Sequence, residues 1–400
     1  MRIVITGATG FVGQELVPLL QARGHALLLV GRDTKKVAAV FPGVAACGYG
    51  QLRECAAGYD LLVHLAVANT YAELDDVGFR AVNVDLLADV LHAARDAGIG
   101  QFINVSSIHA LDAGKDSAYA RTKRQAVDIV AGATGIHAKT VFLPPVYGER
   151  WAGRLAVLNR LPRTLSRLLF KLLAALTPTV HVERLADFLV NDVGSAETQV
   201  ILTDGQSGNL YYQVTKRAAD LAFAAAVTLL LWWLLLIVWA LIRIQSPGPG
   251  IFAQTRIGQH GKEFVCYKFR TMKLGTVQAA TNEVSASSVT GLGHFLRKTK
   301  IDELPQIWNI FRNEISLIGP RPCLPVQTRL IEARAKRGVL ALKPGISGLA
   351  QVNGVDMSEP EKLARWDERY LRLQSLALDL KIALATATGR GQGDRVAKDP

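Results

Sequence analysis

Two acidic residues in succession, Asp302 and Glu303, stand just ahead of Pro305, a residue that a helix tolerates only in its first turn. That spacing predicts a pair of carboxylates at or just before a helix start. One reading is that they favour the positive helix end. The other is that one attacks phosphorus while its neighbour helps hold Mg²⁺, with a diphosphate drawn to the same terminus and to nearby Arg and Lys. Arg270, in Tyr267-Lys268-Phe269-Arg270-Thr271-Met272, and Arg321, in Gly319-Pro320-Arg321-Pro322, suit bidentate contacts to phosphate, although each alone also reads as a surface cation.

A second chemistry is written earlier in the chain. Tyr119 and Lys123 are spaced i, i+4, which stacks them on one helix face and lets the ammonium lower the phenol's pKa. Ser106-Ser107 ends the preceding strand pattern and offers a hydroxyl to the same carbonyl. Thr6-Gly7-Ala8-Thr9-Gly10-Phe11-Val12-Gly13 sits between a strand and a helix, so Gly7, Gly10 and Gly13 fall where a backbone turns tightly and approaches a pyrophosphate. Arg32 follows the second strand, where an acidic residue would bind a ribose 2′-OH and an arginine favours a 2′-phosphate, so NADP is favoured over NAD.

The elements that position these residues are of two kinds. Residues 1 to about 205 alternate Val/Ile/Leu-rich runs with amphipathic stretches, the pattern of an α/β, doubly wound parallel sheet. Strands are expected at Arg2–Thr6, Ala26–Val30, Leu61–Leu65, Phe102–Ser106 and Thr140–Leu143. Beyond Asp204-Gly205-Gln206-Ser207-Gly208-Asn209, the most linker-like stretch, lie 22 consecutive uncharged residues from Leu221 to Ile242. At about 1.5 Å per residue they are long enough for a bilayer core of roughly 30 Å. Basic residues at both ends, Lys216, Arg217 and Arg243, give no clear direction across it. Between Trp151 and Leu176, Arg154, Arg160, Arg163, Arg167 and Lys171 punctuate a leucine-rich stretch that reads equally as a helix on lipid headgroups or as a solvated face.

Composition agrees with membrane contact. Half of the 400 residues are hydrophobic, mean hydropathy is +0.20, and 46 Lys+Arg against 34 Asp+Glu give +12, a balance that favours an anionic partner. Nucleic acid is not expected, because interleaved aromatics and any recognised binding module are lacking. Cys47, Cys55, Cys266 and Cys323 have neither C-x-x-C spacing nor a histidine at ligand spacing, which points to a reducing compartment. The first residues run directly into a strand pattern, so the amino end is expected to stay in the cytoplasm.

The glycine loop, Asp60-Leu61-Leu62-Val63-His64-Leu65-Ala66, Asn83, the Ser107/Tyr119/Lys123 set, Pro145-Val146-Tyr147-Gly148 and Val182-Glu183-Arg184-Leu185-Ala186-Asp187 together resemble the extended short-chain dehydrogenase/reductase family of nucleotide-sugar enzymes. The resemblance implies NAD(P) held at Gly7, Gly10, Gly13, Arg32 and Asn83. It implies Tyr119 as general acid for a 4-ketosugar nucleotide, with Lys123 and Ser107 assisting. Leu143 departs from the arginine common there, and a non-catalytic NAD(P)-binding front domain is the alternative.

Five ordered blocks in the rear half begin with Ser246-Pro247-Gly248-Pro249-Gly250 and end with Gly348-Leu349-Ala350-Gln351-Val352-Asn353-Gly354. They resemble the bacterial sugar transferase family, monotopic polyprenyl-phosphate phosphoglycosyl transferases. The resemblance implies Asp302 as nucleophile on a UDP-sugar, Glu303 with Asp302 at Mg²⁺, and Arg270, Arg321, Gln351 and Asn353 on the substrate. Polyprenyl (undecaprenyl) phosphate is the implied acceptor and a 6-deoxy-HexNAc the implied sugar. The expected layout is a front domain over 1–205, a linker over 206–215, a mainly helical transferase domain over 216–390 and a tail over 391–400. Within the transferase domain a re-entrant membrane helix is expected over 221–244, broken near Trp232-Trp233. Both domains would face the cytoplasm at the bacterial inner membrane, among its lipids, with a homodimer left open.

Overall fold

The computed structural model describes residues 1–68, 73–112, 114–149, 151, 153–273, 275–276 and 288–390. The expected tail at 391–400 and the Arg154 side chain lie outside the described residues. Chain contacts divide into two units: residues 1–170 with 178–204, and residues 171–177 with 205–400.

The front unit is built on seven strands, Arg2–Thr6, Ala26–Val30, Ala45–Cys47, Leu61–His64, Gln101–Ser107, His137–Leu143 and Gln199–Ile201, here β1 to β7. They form one sheet in the order 3-2-1-4-5-6-7, every neighbour parallel. Ile3 and Ile5 of β1 face one core with Leu16 and Leu20, while Val4 faces another with Leu62 and Phe102. A strand buried on both faces needs apolar residues in succession, which is why these strands read as continuous hydrophobic runs. The order reverses between β1 and β4, and the glycine loop leaves β1 at that switch point, where open α/β sheets bind ligands. The expected α/β doubly wound class is what the chain adopts. β3 and β7 were not expected. Each has three residues, too few for periodicity to register.

The rear unit begins with one 36-residue helix, Leu210–Gln245, capped by the Asn209 side chain, which accepts from Tyr212 N. It is long and apolar enough to cross a membrane by length and composition, and only 17% of its most apolar window is buried. The expected break is absent: the helix passes through Trp232-Trp233 uninterrupted, and Trp233 Nε1 donates to the Leu230 carbonyl, 2.9 Å away, inside the same helix. Without proline, every backbone N–H can stay in the ladder, and nothing forces a kink. One side of the helix packs along the rear unit, Ala224 and Val227 with Phe264, Ile307 and Ile310, then Val238 and Ile242 with Phe269 and Leu296. Leu229, Leu230, Trp232, Trp233, Leu236 and Ile237 are exposed.

The helix base is held by charge. Lys216 Nζ donates to Asp379 Oδ2 at 2.8 Å and to Tyr370 OH, and Asp220 Oδ1 accepts from Leu317 N and Ser316 Oγ. Beyond it come an antiparallel hairpin, Ile251–Ile257 with Glu263–Phe269, and a short parallel pair, Ser316–Ile318 with Gly345–Ser347. A Cβ on Gly345 would come within 2.6 Å of Gly319 Cα, so the two Pro/Gly motifs need glycine to lie side by side.

Candidate active sites

Asp302 and Glu303 lie in a tight 3-10 turn, Ile301–Gln306, ahead of a five-residue helix, Ile307–Phe311. The pair thus stands in the first turn of a helical run over 301–311, where the sequence placed it, and nearby side chains add positive field. Lys268 Nζ meets Glu303 Oε1 at 2.8 Å and Arg321 meets the same oxygen at 3.1 Å. The turn is fixed by Lys300, in the left-handed region at φ 58°, whose carbonyl accepts from Glu303 N. It is held against the hairpin by buried Asn309, which accepts from Tyr267 N and donates to the Val265 carbonyl. Arg256, Lys268, Gln306, Arg321 and Gly345 line one small cleft there.

This cationic setting splits the two carboxylates. Burial alone would raise Glu303, but Lys268 and Arg321 outweigh it and hold its carboxyl at about 2. Burial and the Glu303 charge push Asp302 up to about 6, against the pull of Lys268, Arg297 and Arg321. The cations thus favour the ionised form of Glu303, while burial beside that charge disfavours the ionised form of Asp302.

Of the expected substrate residues, Arg321 joins this cluster. Arg270 does not. It is buried, with its guanidinium donating to the carbonyls of Ser246 and Pro247 at 2.7 Å each, so it fixes the exit of the long helix instead of reaching a phosphate. Asn353 Nδ2 turns back to the Leu349 carbonyl, and neither it nor Gln351 lines the cleft among the described residues. Gln351 Oε1 is buried without a hydrogen-bond partner. Lys268 and Arg256 were missed by sequence reasoning. Lys268 directly precedes Phe269-Arg270 in a motif already quoted, but only the hairpin register tells which of its two cations faces Glu303.

In the front unit, Gly7 has φ 70° and a Cβ there would sit 2.5 Å from Ala66 N, while a Cβ on Gly13 would collide with the Ala8 carbonyl. Both glycines are required by the backbone. The loop leads into the helix Phe11–Ala22 with Gly10 at its N-cap, an arrangement suited to a pyrophosphate. Arg32 is exposed at the end of β2. Asn83 is buried, accepting from Ala68 N at 3.0 Å and donating to Thr122 Oγ1 at 3.1 Å, so it ties the loop after β4 to the helix Ala118–Ala131.

That helix carries Tyr119 and Lys123. Ser107 lies near enough to Tyr119 for its hydroxyl to act on the phenol, so the structure brings the hydroxyl pair together. The expected lowering of the phenol by Lys123 is not what sets it: burial raises Tyr119, with Ser107 pulling the other way. Lys123 is buried and desolvation lowers its ammonium to about 8. His109 packs edge-on to the Tyr119 ring, a neighbour that sequence spacing did not single out.

The bacterial sugar transferase family model matches residues 211–391, and that of the NAD dependent epimerase/dehydratase family matches residues 3–196. The UDP-glucose:undecaprenyl-phosphate glucose-1-phosphate transferase of Xanthomonas campestris pv. campestris is 35% identical over 208 residues, covering 48% of this chain and 42% of that protein. The protein of the same description from Caulobacter vibrioides is 35% identical over 212 residues, covering 51% of this chain and 79% of that one. This chain spans about two fifths of the length of the first of these relatives. Among solved structures, the Bordetella bronchiseptica enzyme WbmG in complex with NAD is similar at 18% identity and TM-score 0.41, over 51% of this chain and 72% of that one. The chain belongs to the bacterial sugar transferase family through residues 211–391, and its front unit is matched by the NAD dependent epimerase/dehydratase family model.

Proposed function

We propose that the rear unit transfers a sugar 1-phosphate from a UDP-sugar to polyprenyl phosphate through a covalent aspartate. The observation that carries this reading is the Asp302-Glu303 turn with Lys268 and Arg321 closed on Glu303. An Asp302 carboxylate oxygen attacks the β-phosphorus, the bond to the bridging oxygen breaks, and UMP leaves with the electron pair. An oxygen of polyprenyl phosphate then attacks the same phosphorus, the Asp302–phosphorus bond breaks, and the carboxylate is restored. Lys268, Arg321 and Arg256 offset the charge of two anionic reactants.

Mg²⁺ fits this donor set only in part. Among the described residues no three His, Cys, Asp or Glu gather as a cage. Magnesium, however, is commonly held by one or two carboxylates with substrate phosphates and water. Asp302 and Glu303 would hold it, and it would neutralise phosphate charge.

In the front unit we assign a nucleotide-sugar oxidoreductase using NAD(P), with Tyr119 donating a proton to a carbonyl, Ser107 hydrogen-bonded to it and Lys123 buried behind. Exposed Arg32 favours the 2′-phosphate of NADP. The protein works at the bacterial inner membrane, the exposed apolar part of the long helix entering the lipid without crossing it, which leaves both units on the cytoplasmic side where both nucleotides are found.

UMP release is the test, using UDP-glucose and UDP-6-deoxy-HexNAc sugars with polyprenyl phosphate. Wild type should release UMP and Asp302→Asn should not; undiminished turnover by the variant removes the covalent aspartate. NADPH oxidation with a 4-keto sugar nucleotide tests the front unit, and dinucleotide binding without oxidation would make it a binding module.

A further inference from the structure

The helix Arg163–Leu176 has an inward side and an outward side of unusual composition. Inward, Ser166 accepts from Trp151 Nε1 at 2.7 Å, and Phe170 packs on the Trp151 and Tyr147 rings at 4.3 and 4.5 Å between centroids. Outward lie Leu165, Leu168, Leu169, Leu172, Leu173 and Leu176, each between 37% and 49% exposed. At about 100° per residue these six leucines cover an arc of roughly 140°, a continuous apolar stripe left partly exposed by the described residues.

The charges of the helix say what covers the stripe. Between Glu149 and Glu183 the sequence has six Arg and Lys and no Asp or Glu, and Arg163, Arg167 and Lys171 recur at helical spacing on the side away from the leucines. A leucine face with a basic face opposite it, whose cations have no acidic partner among the described residues, matches an anionic lipid surface, where each Lys or Arg adds attraction and the leucines enter the headgroup boundary. The last turns of this helix are also tied to the start of the long apolar helix. Asn209, its N-cap, donates to the Lys171 carbonyl at 2.9 Å, and Gln206 donates to the Ala174 carbonyl at 2.7 Å.

We propose that the helix Arg163–Leu176 is a second membrane-docking element, lying on an anionic bilayer through its leucine stripe, separate from the long helix. The proposal uses the membrane setting of the function given above, so the experiment reports the two elements independently.

Full-length protein carrying Cys55→Ser, which removes the exposed native thiol, is given one new cysteine and an environment-sensitive fluorophore. The sites are Leu172→Cys on the stripe, Leu230→Cys on the long helix and Val77→Cys, an exposed front-unit position, as the aqueous control. Each is reconstituted in nanodiscs of phosphatidylcholine with or without phosphatidylglycerol, containing spin-labelled lipid as quencher. The expected result is quenching at Leu172 that deepens at least twofold with phosphatidylglycerol, and no quenching at Val77. Adding Arg163→Glu, Arg167→Glu and Lys171→Glu should remove that gain and leave Leu230 unchanged. A quenched Leu230 with an unquenched Leu172 overturns the proposal and spares the membrane reading. Loss of quenching at both sites sinks both. Cross-linking of Leu172→Cys between copies in detergent, without lipid quenching, would show that a second copy of the chain covers the stripe.

Discussion

Replacing Lys268 by methionine keeps the length of the stem and removes one of the two cations on Glu303, the one at 2.8 Å, leaving Arg321 at 3.1 Å. Both carboxylates then bind protons more readily, and the effect on rate falls on Asp302, which must be ionised to attack. Its carboxyl stands at about 6. Loss of an adjacent cation raises a carboxyl by about one unit or more. With a one-unit rise the ionised fraction at pH 7 drops from about 0.9 to about 0.5, and at pH 6 from about 0.5 to about 0.1. On top of a pH-independent loss from the missing charge on the reactants, the defect should therefore grow about threefold from pH 7 to pH 6 and level off in the alkaline range. The sign follows from the raised carboxyl: activity is lost as pH falls through its pKa, and the variant loses it sooner. The assay is kcat/KM for UMP release from pH 5 to 9, with a thermal melt to confirm the fold. A ratio of wild type to variant that is the same at every pH would refute the idea that Lys268 sets the ionisation of Asp302.

Asp367→Asn should lower the thermal midpoint sharply, because it leaves Arg334, buried and paired with Asp367 at 2.8 Å, without its counter-charge, a loss of about 3–5 kcal/mol. Gly13→Val should abolish dinucleotide binding measured by NADPH fluorescence while UMP release persists, since its Cβ meets the Ala8 backbone. Arg32→Asp should shift the preference from NADPH toward NADH by about tenfold, or ~1.4 kcal/mol, in a binding titration. Arg270→Lys should melt lower and lose UMP release without a selective rise in KM for UDP-sugar, because a single ammonium cannot span the Ser246 and Pro247 carbonyls; a pure KM effect would return Arg270 to the substrate.

Much of the front unit was legible because local pattern and fold agree there: β1 needs Ile3-Val4-Ile5 buried on both faces, and Gly7 needs a left-handed turn beside Ala66. The long helix was legible from its run of uncharged residues. Its continuity was not, because a break had been expected from the family resemblance while the residues at Trp232-Trp233 contain no helix breaker. Arg270 and Lys268 show the deeper limit. Both are cations two residues apart at the end of one strand, and only the partners each meets, Ser246 and Pro247 for one and Glu303 for the other, distinguish a structural brace from a member of the site. Those pairings join residues more than twenty positions apart, beyond any periodicity. The Asp302 environment was legible in outline, as a carboxylate pair at a helix start near cations, but Lys268 as one of those cations was not.

The Arg270 clasp on Ser246 and Pro247 also makes the reach of the chemistry a matter of counting residues. The strand that holds Arg270's neighbour Lys268 is locked to the point where the long apolar helix ends, so under the proposed function the height of Asp302 above the acyl chains would be gauged by helix length. One extra residue between Ile242 and Ser246 would move that endpoint by about 1.5 Å and swing it by about 100°. An acceptor whose tail is confined to the bilayer can offer its phosphate only at a narrow range of depths. A family member with a longer or shorter helix would then be tuned to a different lipid thickness without a single change in the residues that perform the transfer.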